Sequence, residues 1–246
     1  MSAGVLIAVL LILFAAALVR AAFGFGDALI AMPLLALVVP LRMATPLMGL
    51  VGPTIGLIMI ARSWRRVDLR STLVLTLFTL AGIPIGLHVL KNVHEHIVNV
   101  VLATVIILFA LWSLLKPELP RLRTSRSAPL FGFAAGVLGA AYNTNGPPVA
   151  FYGALRGWEP EAFRATIQGY LVLTGPAILI GQGIVGLLTA PVLRTYLYAL
   201  PMIFLAVFAG LRLGRRIPAA PFYRWIYGLL LVAGLILLAK TLLTGV

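Results

Sequence analysis

The sequence predicts an all-α polytopic membrane protein. It predicts two inverted-topology repeats whose broken or re-entrant helices meet near the midplane. Composition is the first reason. Of the 246 residues, 62% are hydrophobic and 10% charged, and the mean hydropathy is +1.10. A soluble domain of this length needs far more polar residues to cover its surface. The second reason is that apolar runs of membrane length recur along the whole chain, as membrane helices require. The third is a pair of interruptions, one per half. Arg20-Ala21-Ala22-Phe23-Gly24-Phe25-Gly26-Asp27 breaks the run over 5–39, and Tyr142-Asn143-Thr144-Asn145-Gly146-Pro147-Pro148 breaks the run over 128–155. Lipid offers no hydrogen bonds to freed peptide groups, so such breaks survive only against protein or a water-filled cavity.

In chain order, the first run divides into pieces over 4–19 and 27–39. Spans over 45–61, 72–90 and 97–115 follow. The second half repeats the series at 129–141, 146–155, 162–180, 192–213 and 222–243. The predicted organisation is a first repeat over 1–115, a basic cytoplasmic linker over 116–127 and a second repeat over 128–246. The halves are weakly similar. Pro40-Leu41-Arg42-Met43-Ala44-Thr45 resembles Pro160-Glu161-Ala162-Phe163-Arg164-Ala165-Thr166. Gly52-Pro53 falls like Gly175-Pro176, and Gly86-Leu87 like Gly210-Leu211. Their shared order points to duplication. The pieces over 27–39 and 146–155 are short, either short crossings or segments that dip partway in and meet near the midplane. At 1.5 Å per residue they rise roughly 20 and 15 Å, against a bilayer core of about 30 Å.

Charge sets the predicted topology. Counting each broken run as two segments, fourteen of the nineteen Lys and Arg collect on one side and four (Arg42, Lys91, Arg194 and Lys240) on the other. Arg20, beside the first break, is the nineteenth. The positive-inside rule makes the richer side cytoplasmic, which gives the halves opposite orientation and puts both termini outside. The net charge of +13 then reflects loops and lipid contact, not nucleic acid, for which no recognition fold is left over. Met1-Ser2-Ala3-Gly4 lacks a basic leader region, so the first run is expected to be retained as a span. Trp64, Trp112, Trp158 and Trp225 near segment ends fit an interfacial belt. Cysteine is absent, which removes disulfides and thiolate sites.

The candidate functional residues lie at the breaks. Asn145-Gly146-Pro147-Pro148 has the pattern of a helix start with Asn as N-cap, and Asp27 before Ala28 can cap in the same way. Two helix N-termini aimed at one cavity make an anion site. Asp27 is the one carboxylate away from the loop regions, a candidate for proton or cation coupling, or else a cap paired with Arg20. Arg20 can meet an anion, pair with Asp27 or snorkel. Gln168 can donate to an oxyanion or pin two helices. Tyr142 and Tyr170 are candidates for the cavity wall. Thr45, Gly49, Gly52 and Gly56 form a stripe expected to serve close helix packing. His88, His94 and His96 form no metal site, and no cofactor or nucleophile motif occurs.

With these residues in view, the chain resembles the TauE/SafE sulfite exporter family of small bacterial membrane permeases. The resemblance is carried by Gly24-Phe25-Gly26-Asp27-Ala28-Leu29-Ile30-Ala31-Met32-Pro33 in the first half. In the second it is carried by Gly132-Phe133-Ala134-Ala135-Gly136-Val137-Leu138-Gly139 and Asn145-Gly146-Pro147-Pro148. It covers nearly the whole chain. It implies secondary transport of small sulfur-containing anions such as sulfite or organosulfonates, often outward, across the inner membrane. The family tends to have a further glycine where this chain has Asp27.

The expected substrate site comprises Gly24, Gly26, Asp27, Tyr142, Asn143, Thr144, Asn145, Gly146, Pro147 and Gln168. Arg20 and Asp27 are the candidates for charge pairing or coupling. The expected partners are a small anion, protons through Asp27, and membrane lipids; no metal, cofactor or enzymatic activity is expected. Two rivals use the same residues: a carboxylate or cation permease with Asp27 as ligand, and a membrane enzyme or lipid-handling scaffold.

Overall fold

A computed structural model describes residues 2–24, 26–59, 67–115, 122, 125–214 and 219–244. These form α1 (Ala3–Phe23), α2 (Asp27–Ala36), α3 (Leu41–Met59), α4 (Leu69–Asn92) and α5 (Glu95–Leu115). A 3-10 turn (Ser125–Ser127) leads to α6 (Ala128–Tyr142), α7 (Gly146–Arg156), α8 (Pro160–Ile184), α9 (Ala190–Leu213) and α10 (Ala219–Thr244). No strand occurs among the described residues. Phe25, Arg62, Trp64, Arg65, Arg66, Lys116, Arg121, Arg123, Arg215 and Arg216 lie outside them, as do the side chains of Phe23, Arg164, Arg224 and Trp225.

Helices α1, α3, α4, α5, α8 and α9 are long and apolar enough to cross a membrane. Their outer faces carry exposed Leu73, Leu77, Leu108, Ile180, Leu197 and Leu205, an apolar surface that lipid, not water, would cover. By contrast α2 and α7 have 10 and 11 residues, about half a membrane crossing at 1.5 Å per residue. Each follows its predecessor through a left-handed residue, Gly24 (φ 96°) after α1 and Asn143 (φ 54°) after α6.

Hydrogen bonds fix which helix ends lie together. Arg42 donates to the carbonyls of Leu90 and Lys91, Leu41 N–H to Glu95 Oε1, Lys91 Nζ to Val185 O, and Lys240 Nζ to Leu37 O. One end of the molecule therefore gathers the ends of α2, α4, α8 and α10 with the starts of α3 and α5. At the opposite end Asp68 N–H donates to Thr166 Oγ1, and Arg156 Nη1 to Leu122 O. It follows that α3 and α8 run antiparallel.

The packing recurs when the halves are exchanged. α4 lies along α6, and α1 lies along α9. Glycines allow the close approach: a Cβ on Gly82 would stand 2.9 Å from Val137 N, and one on Gly210 would stand 2.8 Å from Ala21 Cβ. At the centre α3 crosses α8. There Gly49 faces Leu179 and Gly56 faces Val172. The glycines are seven residues apart on one helix, and their contacts are seven apart on the other.

Candidate functional site

The first break is shaped by glycine. Gly24 closes α1 at φ 96°, and its N–H donates to Arg20 O at 2.7 Å. Gly26 precedes α2 at φ 101°. Side chains other than glycine are strained at such angles. The structure corrects the capping expectation for Asp27. Gly26 holds the N-cap position, and Asp27 is the first helical residue with no side-chain cap bond. Its carboxylate instead accepts from Arg20, with Nη1 2.7 Å from Oδ2 and side-chain exposures of 4% and 8%. Helix geometry turns the carboxylate back toward α1, where the approaching guanidinium gives it more than its own helix N–H groups could.

The guanidinium lies against α3. A Cβ on Gly52 would stand 3.5 Å from Nη1, and one on Gly56 would stand 3.3 Å from Nη2. The stripe serves close packing against α8, as expected, and also admits polar side chains. Gly52 and Gly56 leave room for Arg20, Gly49 faces the Gln182 amide, and Thr45 Oγ1 donates to Ala141 O at 3.0 Å. Arg20 Nε is buried without a partner among the described residues. The cation therefore keeps donor capacity beyond its ion pair.

The second break differs in detail. Asn143 takes the left-handed conformation that ends α6, and its N–H donates to Gly139 O at 2.8 Å. Asn145 stands at the N-cap of α7 but makes no side-chain cap bond. The predicted helix start with Asn at the N-cap is thus borne out, but without the side-chain bond. Asn145 Nδ2 donates to Thr174 Oγ1 at 3.0 Å, and Thr174 in turn donates to Tyr170 O. The reason lies in the next residues. Pro147 and Pro148 have no N–H, so much of what a cap would satisfy is missing. For the same reason the start of α7 offers the Gly146 N–H and few others.

The two breaks border one cavity of about 40 Å³. Arg20, Gly26 and Asp27 line it from the first break, and Asn143, Thr144, Asn145, Gly146 and Pro147 from the second. Gly52 and Pro53 of α3, Leu171 and Gly175 of α8, and Ala28 and Leu29 of α2 complete the wall. Those of α3 and α8 lie in the middle third of their helices. The buried Thr144 Oγ1 has no partner among the described residues. The lining therefore offers a paired guanidinium, a hydroxyl, two amides and helix-start N–H groups within an apolar frame. These donors suit a small oxyanion.

Four of the expected residues, Gly24, Tyr142, Gln168 and Tyr170, do not line the cavity. Tyr142 is 1% exposed and buried in the core. Gln168 donates through Nε2 to Gly24 O, so both serve at the edge of the break. Tyr170 is also enclosed, and its hydroxyl shares a hydrogen bond with Thr79 Oγ1 at 2.8 Å. Conversely, Gly52, Pro53, Leu171, Thr174 and Gly175 are missed by sequence reasoning. A signal existed for two pairs of positions: Gly52-Pro53 and Gly175-Pro176 recur in both halves, and both glycines reach the cavity.

No curated protein and no solved structure matches the chain. The family model described as sulfite exporter TauE/SafE matches residues 9–237. That match runs through every helix of the multi-pass frame, breaks and cavity included, and the chain belongs to the TauE/SafE sulfite exporter family of membrane transporters.

Proposed function

We propose that this protein exports a small sulfur oxyanion, sulfite or a short organosulfonate, across the bacterial inner membrane by alternating access to the central cavity. The observation that carries the reading is the meeting of both breaks, from opposite halves of the chain, around the buried Arg20 guanidinium. An incoming anion takes Arg20 from Asp27, while Asn143, Thr144, Asn145 and the Gly146 N–H hold its remaining oxygens. Proton uptake by Asp27 removes the competing carboxylate. Proton and anion binding thus strengthen each other. A proton that crosses with the anion makes transport electroneutral. An anion that crosses alone is driven outward by an inside-negative potential, worth about 2.3 kcal/mol per charge per 100 mV.

The exchange-symmetric packing of α1, α4, α6 and α9 supports two inverted repeats, with α2 and α7 re-entering from opposite sides. The end that holds Arg42, Lys91 and Lys240 is the one poorer in Lys and Arg, four against fourteen along the sequence, which supports it as the outer one. Both termini then lie outside. The test is flux of labelled sulfite and methanesulfonate in proteoliposomes, with the potential and the pH gradient clamped separately. Saturable flux that falls at least about tenfold in Asn145→Ala, where a buried donor is lost, is expected. Absence of flux for every sulfur oxyanion, from folded protein, would overturn the reading.

A further inference from the structure

The central cavity is flanked by two hydrogen bonds that are counterparts of each other. Thr45 lies seven residues before Gly52 on α3, and Gln168 lies seven residues before Gly175 on α8. Both glycines line the cavity. Thr45 Oγ1 donates to Ala141 O, at the end of α6. Gln168 Nε2 donates to Gly24 O, at the end of α1. In each case the third helix of one half clasps the last turn or cap of the other half's first helix. Because α3 and α8 are antiparallel, the clasps sit on opposite sides of the cavity, each about 10 Å from its glycine along the helix at 1.5 Å per residue.

Thr45 lies toward the end that holds Arg42, Lys91 and Val185, and Gln168 toward the end that holds Asp68 and Thr166. Each acceptor is a carbonyl near a helix C-terminus, where backbone acceptors lack intrahelical partners. Both are therefore free to take a side-chain donor from across the cavity. Thr45 is fully buried, as are Leu47 and Met48 nearby on α3. Gln168 is buried, and its Oε1 has no partner among the described residues, so among these its amide is held by the Nε2 bond.

We infer that Thr45–Ala141 and Gln168–Gly24 are the two gates of the transport cycle, one closing the cavity toward each membrane face. Opening one face breaks one clasp and leaves the other made. In the structure both clasps are made. The gating role rests on the reading of the cavity as the transported site, but its test needs no substrate. Thr45 and Gln168 act through the helix ends they hold, and are positioning residues.

The natural absence of cysteine makes the test direct. A single reporter, Leu171→Cys, places a thiol in the cavity wall. Its labelling by a membrane-impermeant maleimide is followed from each face in oriented vesicles. Thr45→Val is expected to raise labelling roughly 3- to 10-fold from the Arg42 face alone, the effect of losing one hydrogen bond. Gln168→Leu should do the same from the Asp68 face alone, and Thr45→Ser should behave as the parent. Thr45→Ala and Gln168→Ala remove the same donors with side chains too small to clash, and are read identically. Rates unchanged from both faces, or raised from the wrong face, would overturn the gate assignment. That outcome would leave sulfur-anion flux, measured separately, untouched.

Discussion

Replacing Asp27 with Asn separates an anion carrier from its rivals. In the parent the Arg20 and Asp27 side chains touch at 2.7 Å, almost fully buried. Their charge centres then lie roughly 4 Å apart, where unit charges attract by about 4 kcal/mol at an effective dielectric constant of 20. An anion binding to Arg20 must offset that attraction. Asn keeps the shape and one oxygen acceptor, so part of the contact survives. If about half of the attraction is released, sulfonate affinity rises by about 1.4–2.7 kcal/mol, or roughly 10- to 100-fold.

The empty Asp27→Asn protein carries the opposite penalty. A buried Arg20 without its counter-ion destabilises by up to about 3–5 kcal/mol, and ligand should restore what the carboxylate supplied. The assay is equilibrium binding of labelled methanesulfonate, with thermal unfolding in detergent run with and without ligand. The expected result is tighter binding, a less stable empty protein and a larger ligand-induced rise in Tm. Weaker or unchanged binding with an unaltered empty protein would refute the competition of substrate and carboxylate for Arg20. A cation permease predicts something different, namely collapse of cation flux.

Two further substitutions test the frame around the site. Gly82→Ala puts a methyl group against the backbone of α6, 2.9 Å from Val137 N. Neither backbone can yield cheaply, so a loss of about 1–3 kcal/mol should appear as reduced thermal stability, and a neutral result would refute the α4–α6 contact. At Asn143, φ 54° makes Ala strained by about 1–2 kcal/mol, whereas Gly is tolerated. Asn143→Gly should therefore unfold like the parent yet bind sulfonate more weakly, since only the side-chain donor is lost; equal binding would remove Asn143 from the substrate's contacts.

Much of the frame was legible because membrane burial imposes a coarse code. Apolar run length and Gly- or Pro-rich breaks located the helices and placed Gly24–Asp27 and Asn143–Gly146 between them. The convergence of these breaks on one cavity followed from the rule that freed backbone needs protein or water. What the sequence could not resolve was the destination of polar side chains. Asn145 stands at a cap and Asp27 one residue past one, yet each side chain finds its partner across the fold, Thr174 and Arg20. Tertiary partners outrank local ones, and periodicity carries no information about them. The α3 stripe shows the same limit. Spacing placed Gly49, Gly52 and Gly56 on one face, but small residues look alike whether they admit a neighbouring helix or a guanidinium.

The ion pair itself explains why a transporter would keep an acid beside its anion site. A lone buried guanidinium would bind a sulfur oxyanion tightly and, once empty, would be left uncompensated at membrane depth, at a cost of several kcal/mol. Asp27 removes both problems. It neutralises Arg20 in the empty site and, on the proposed anion reading, would weaken the bound state by roughly the energy of the pair it must surrender. Gly52 and Gly56 fit this arrangement, since space beside Nη1 and Nη2 lets the guanidinium turn between carboxylate and substrate without moving α3. The affinity of the site is then a difference of two similar interactions with one cation. It can be small even where each is strong, as release on the far side of a membrane requires.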